Sequence, residues 1–345
     1  MGNLTIAPLS PHTHTVIFLH NTISSASELA SKFQQLTASS TLTLPQTFPT
    51  IKWVFPQARI EETRLVPPQW FQTKLSILPG GEQILENEGF NASLKDILDI
   101  IDEEAHILQS HKGIFLAGVG MGCAIGISAL IQSANELAGF IGMSGWLTVT
   151  RELEEIGNEE PRRIRRALRR LKKTFYHKVM DGDEEKSMGF ESLRTPVFLA
   201  HARDNDEVPL LGGLEMAEGL AALLARSSLD GVRVDFKCYE SGGHWIDHRR
   251  GVDDIVGFIG EVTGLGGFLL RMQHIDPRRV SCEKEEEVMI GEEEEEEEEE
   301  EVVVKEEVLV KHEEEVNSKV TVWELDARTI RDLEYLGILT DSQSP

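Results

Sequence analysis

Residues Ile114 to Ala124 read Ile-Phe-Leu-Ala-Gly-Val-Gly-Met-Gly-Cys-Ala, and few folds accommodate such a run. Ile114, Phe115 and Leu116 suit a short buried strand. Glycines then alternate at Gly118, Gly120 and Gly122, and small residues lead into Ile125, Ile127, Leu130 and Ile131. Glycine recurs where the backbone turns through positive φ or passes close to another segment. The run therefore reads as strand, sharp turn and tightly packed helix. At the centre of the turn, where a side chain would stand clear of a sheet, Gly120 has none.

The same alternation extends along the chain. Strands are expected at Thr15–Leu19, Ile51–Phe55, Leu137–Met143, Pro196–Ala200 and Val232–Tyr239. Helices are expected at Ser24–Leu36, Asn91–Leu108, Leu214–Leu224 and Val252–Val262. Pro67-Pro68 and Pro79-Gly80-Gly81 break the pattern, so residues 57–90 read as irregular. Strands alternating with helices imply an α/β fold, a mostly parallel sheet covered by helices on both faces. Ligands on such sheets sit at the C-terminal strand ends. His20, the Gly120 turn and the loops after Ala200 and Tyr239 fall there.

Charge is uneven. The formal net charge is −25, and residues 283–315 hold nineteen Glu against three Lys. The domain read over residues 10–265 is thus only mildly acidic, followed by an acidic low-complexity tail (283–318) expected to stay disordered. Residues 319–340 regain apolar side chains and suggest a short docking helix. The acidity argues against nucleic-acid binding, since phosphates would be repelled. It suits a basic protein partner of the Glu tract. Pro161–Lys173 carries six Arg and two Lys around an aliphatic stripe. It reads as a solvated face, a contact for an anionic membrane surface, or a docking face for the Glu tract. Three cysteines form no disulfide framework, and no apolar run is of transmembrane length. With no signal-like apolar start, a cytoplasmic or nuclear setting is expected. Met1-Gly2 has Ile6 where myristoylation prefers Ser or Thr.

These residues together resemble the acyl-protein thioesterase and phospholipase/carboxylesterase branch of the α/β-hydrolases, particularly its divergent fungal-type members. The matching stretches are Val16–His20, Trp53–Pro56, Gln69–Phe71, the turn through Ala124, Gly142–Leu147, Thr195–His201, Val208-Pro209 and Tyr239–Trp245. The resemblance implies hydrolysis of carboxylic esters or thioesters, including acyl groups on proteins, without a cofactor or metal. It places the nucleophile position at Gly120, the acid at Asn205, the base at His244 and the oxyanion-hole backbone at Thr22 and Met121. Trp70 and Trp146 fall where an acyl ligand would be lined.

A nucleophile, a base and a supporting carboxylate work as a unit. Gly120 removes the first, and Asn205 hydrogen-bonds an imidazole without supplying charge. A turn with positive φ also favours glycine on its own account, so the position drifts freely once activity is not selected. The leading expectation is a catalytically impaired relative, a pseudoenzyme acting through binding. The competing reading is an active esterase rewired around His244, with Asp204 or Asp206 as the carboxylate. A third is an interaction protein working through the Glu tract. Cys123 is expected to be a buried small residue, and His12, His14 and His20 form no convincing zinc site.

Overall fold

A computed structural model describes residues 2–22, 24–59, 68–77, 83–147, 191–226, 233–247, 250–265 and 323–324. The basic segment 161–173 and the acidic tract lie outside the described residues. In chain order the main elements are β1 (Leu4–Ile6), β2 (His14–Leu19), α1 (Ala26–Gln35), α2 (Leu44–Thr47), β3 (Ile51–Phe55), β4 (Gln72–Ile77), β5 (Gln83–Glu88) and α3 (Phe90–Leu108). Then follow β6 (Ile114–Val119), α4 (Met121–Gln132), β7 (Gly139–Met143), β8 (Val197–Ala202), α5 (Leu210–Arg226), β9 (Val234–Tyr239), α6 (Arg250–Thr263) and β10 (Trp323–Glu324).

Eight strands form one sheet in the order β1-β3-β2-β6-β7-β8-β9-β10. Every pairing is parallel except β1 with β3. The central strands β6, β7 and β8 are buried along their whole length because both faces of the sheet are covered there. Alternate side chains of β2 divide between two cores. Ile17 and Leu19 pack with α3 and α4, and Val16 and Phe18 pack with α1 and α6. On the second face Phe33, Trp53 and Phe55 interlock, with ring centroids 4.6 Å (Phe33–Trp53) and 5.4 Å (Phe33–Phe55) apart. Burial of each such ring is worth about 2–3 kcal/mol. Helix α1 begins where expected, since Ser25 accepts from the Glu28 N–H and Glu28 reaches back to the Ser25 N–H. Central α4 is buried from Met121 to Ile131, and its one polar side chain in that stretch, Ser128, donates to the Ala124 carbonyl at 3.0 Å.

Three expectations need correction. The stretch 57–90 is not wholly irregular, because β4 and β5 pair antiparallel from Gln72↔Glu88 to Ile77↔Gln83. Pro79-Gly80-Gly81 lies between these strands in sequence and outside the described residues. The sheet also begins before residue 10, since β1 runs antiparallel to β3 with Leu4↔Phe55 in register. Within 319–340, the described pair Trp323–Glu324 is a short strand parallel to β9 and not part of a helix.

Candidate active site

The Gly120 turn links β6 to α4 with φ +55° and ψ −119°, and Gly120 occupies the N-cap of α4. The Gly120 N–H donates to the Met143 carbonyl at 2.9 Å, fixing the bend against β7. Glycine meets this positive φ without the strain a side chain brings. Gly122 has a different reason to be glycine. A Cβ there would stand 2.4 Å from the Leu19 carbonyl oxygen and 2.6 Å from that of His20. The start of α4 thus presses directly on the end of β2.

That contact brings the loop after β2 over the bend. The Asn21 side-chain oxygen accepts the Met121 N–H at 3.0 Å, while its Nδ2 donates to Glu207 Oε2 at 3.2 Å. The two partners, a donor and a carboxylate, fix which end of the amide is which. A Cβ on Gly120 would fall 2.1 Å from Asn21 Oδ1 and 2.4 Å from His244 Nε2. The space that a side chain at 120 would take is therefore filled by Asn21 and His244. Thr22 lies alongside, its hydroxyl 3.6 Å from the Met121 sulfur.

His244 reaches the bend from the loop after β9. Asp204 shapes that loop, accepting the Gly242 and Gly243 N–H groups at 3.3 and 2.7 Å. Asp204 therefore supports backbone rather than the imidazole. Asn205, nearly buried, supplies the imidazole's partner. Its Oδ1 accepts from the Glu207 and Val208 N–H groups at 3.0 and 3.1 Å and lies 3.2 Å from His244 Nδ1. Those two backbone donors hold the oxygen, not the NH2, toward His244. The ring consequently carries its proton on Nδ1 and presents a bare Nε2 toward Gly120. Glu207 Oε2 is 3.6 Å from that Nε2.

Comparisons with known proteins bear on the family and the fold. Residues 2–168 match the phospholipase/carboxylesterase family. Acyl-protein thioesterase 1 of Cryptococcus neoformans is 27% identical over 169 residues, covering 48% of this chain and 67% of that protein. Acyl-protein thioesterase 1 of Schizosaccharomyces pombe is 28% identical over 152 residues, covering 43% and 62%. Among solved structures, Arabidopsis thaliana SOBER1 superposes with a TM-score of 0.51 at 18% identity, over 72% of this chain and 99% of that one. Acyl-protein thioesterase 2 of Zea mays gives 0.50 at 18%, over 76% and 98%. Over residues 2–168 the chain is thus similar to the phospholipase/carboxylesterase family. Its fold is that of the α/β-hydrolases.

Within this phospholipase/carboxylesterase-like frame, Gly120, Met121, Asn205 and His244 converge on one spot, with Thr22 at its edge. Trp70 stands one layer back. It is fully buried, and its indole N–H donates to the His20 carbonyl at 2.8 Å. Trp146 is partly buried at the margin of the α3/α4 core. Cys123 is buried, and burial pushes its thiol up to about 12, far from a thiolate nucleophile. His12 precedes β2 and His20 follows it, so these two histidines sit at opposite ends of a strand. Asn21 and Glu207 are the site residues that sequence reading missed. The available signal for Asn21 is its place between His20, which ends a matching stretch, and Thr22, an oxyanion-hole position. Nothing local marked Glu207.

Burial holds His20, His201 and His244 below the ordinary histidine value near 6.5. For His244, Glu207 and Asp206 oppose the shift without reversing it. All three are therefore neutral at pH 7. The unfolded chain binds protons on these rings that the folded one does not, between pH 6.5 and the lowered native values. Their contribution to stability is complete above 6.5 and is lost as pH falls through that window. Urea midpoints measured from pH 7.5 to 5.0 are expected to fall below pH 6.5. A midpoint that rises on acidification would contradict the neutral, buried assignment.

Proposed function

We propose that this domain has left serine-ester chemistry and works by binding instead of turnover. By likeness to its relatives, the ligand class is carboxylic esters or thioesters, including acyl groups carried on proteins. One observation carries the reading. At the bend where a nucleophile would project there is only Gly120, and the neighbouring Met121 N–H is already satisfied by Asn21. A covalent intermediate needs both an attacking atom and donors open to the developing oxyanion. Neither requirement is met as the side chains stand.

A second reading draws on His244. Its Nε2 is bare and has a carboxylate 3.6 Å away, an arrangement suited to activating water. The carboxylate beside it is Glu207, not Asp204. The two readings separate in one assay. The purified full chain is incubated with p-nitrophenyl acyl esters and a palmitoyl-thioester substrate, beside His244→Ala and Glu207→Gln. Binding without turnover requires equal, background-level rates in all three. Hydrolysis by the native chain that disappears in His244→Ala would overturn it and establish the water-activating site.

A further inference from the structure

His244 Nε2 and Glu207 Oε2 face each other across 3.6 Å, and both are hydrogen-bond acceptors. The ring's one proton is on Nδ1, committed to Asn205 Oδ1 at 3.2 Å, and burial keeps the ring neutral. No proton therefore lies between the two atoms. Two lone-pair groups so placed repel unless a donor serves both. We propose that this pair is a binding site for an alkylammonium group. The site requires neither an attacking atom at residue 120 nor the Met121 N–H, so it is independent of ester binding at the bend.

The two acceptors differ in a useful way. Nε2 is buried, has no hydrogen-bond partner among the described residues, and belongs to a side chain only 10% exposed. Leaving such an atom unpaired is costly, and a bound donor removes the cost. Glu207 is 57% exposed, so its carboxylate meets solvent and can turn to admit a ligand. Asn21 Nδ2 steadies it at 3.2 Å.

The surroundings favour a cation over a neutral donor. Asp206 acts on the same ring as a second negative charge. Among the described residues no Lys or Arg pairs with Asp206 or Glu207, and Arg203 of the same loop is held by Glu240 at 3.0 Å. An ammonium has three N–H donors on one nitrogen, so that nitrogen, seated beside the line from His244 to Glu207, can bond to both. Its bond to the carboxylate is charge-assisted, about twice as strong as a neutral one. The planar fork of a guanidinium instead matches two oxygens of one carboxylate.

NMR of the full chain labelled with 15N-histidine tests the site at pH 7.5, with His244→Ala identifying the resonance. n-Butylammonium is expected to move the His244 Nε2 signal upfield and to saturate, as a bare ring nitrogen does on accepting a hydrogen bond. Tetramethylammonium, a cation without N–H, and n-butanol, a donor without charge, are expected to leave it in place. Glu207→Gln should weaken n-butylammonium about tenfold. Acetyl-Gly-Lys-Gly-amide and spermidine, added separately, distinguish a lysine side chain from a free polyamine as the source. A signal that no amine moves would overturn the proposal; if it already stands at the hydrogen-bonded position, water is the shared donor. Equal shifts with tetramethylammonium would also overturn it, leaving only a general response to charge.

Discussion

A fluorophosphonate is expected to label the triple variant Asn21→Gly/Gly120→Ser/Asn205→Asp while leaving the native chain and the single variant Gly120→Ser unlabelled. The single change fails for a geometric reason. A Cβ at position 120 would meet Asn21 Oδ1 at 2.1 Å and His244 Nε2 at 2.4 Å. Both are ends of side chains, so the protein can fold around the serine, but only by displacing the base it needs. Asn21→Gly removes the closer of the two contacts, so that the His244 ring need only shift to stand beside the serine, and it frees the Met121 N–H for an oxyanion. Asn205→Asp then places a charge beside His244 Nδ1. In serine proteases, loss of the serine lowers turnover about a millionfold, and an Asn in place of the acid lowers it about ten-thousandfold. The triple variant is therefore expected to hydrolyse p-nitrophenyl acetate at least about a thousandfold faster than the native chain. Asn21→Gly/Gly120→Ser should fall between them. If Gly120→Ser alone equals the triple variant, Asn21 is no obstruction and the geometry given for it is wrong.

A large loss of stability is expected at Gly122. Unlike Gly120, whose neighbours are movable side-chain ends, Gly122 faces backbone. The carbonyl oxygens of Leu19 and His20 stand 2.4 and 2.6 Å from where its Cβ would be. Accommodation requires α4 to lift from the end of β2, which lies in the middle of the sheet. Overpacking in cores costs about 1–3 kcal/mol and more where backbone must move, so Gly122→Ala should lower the unfolding free energy by about 3 kcal/mol or more. Urea denaturation followed by tryptophan fluorescence measures it. A loss below about 1 kcal/mol would mean that α4 and β2 are not pressed together as described.

Much of the frame was legible because it rests on local pattern. The glycine-punctuated run at 114–124 fixed β6, the bend and α4, and apolar runs marked β2, β3, β7, β8 and β9 to within a few residues. The missed elements lack such runs. β1 has three residues and gains its place only by pairing with β3. β4 and β5 are rich in polar residues and lie among breakers. At the site, positions 120, 121, 205 and 244 were readable from an ordered set of matching stretches. What occupies the site was not. Asn21 meets Met121 across 100 positions of sequence, and it meets Glu207 across 186. Such contacts are made by the fold and leave no spacing for a linear reading to detect. The assignment of the supporting carboxylate shows the same limit. Asp204 and Asp206 looked equivalent in sequence, yet Asp204 binds the Gly242 and Gly243 backbone, and the carboxylate nearest Nε2 belongs to Glu207.

The proposed absence of covalent catalysis is most directly tested by intact-mass spectrometry of the full chain, quenched at intervals after mixing with excess p-nitrophenyl acetate. With no attacking atom at residue 120, the mass is expected to stay that of the unmodified protein at every time point. An increment of one acetyl group that appears and decays on the timescale of p-nitrophenol release, mapped to a residue lining this site, would contradict the account.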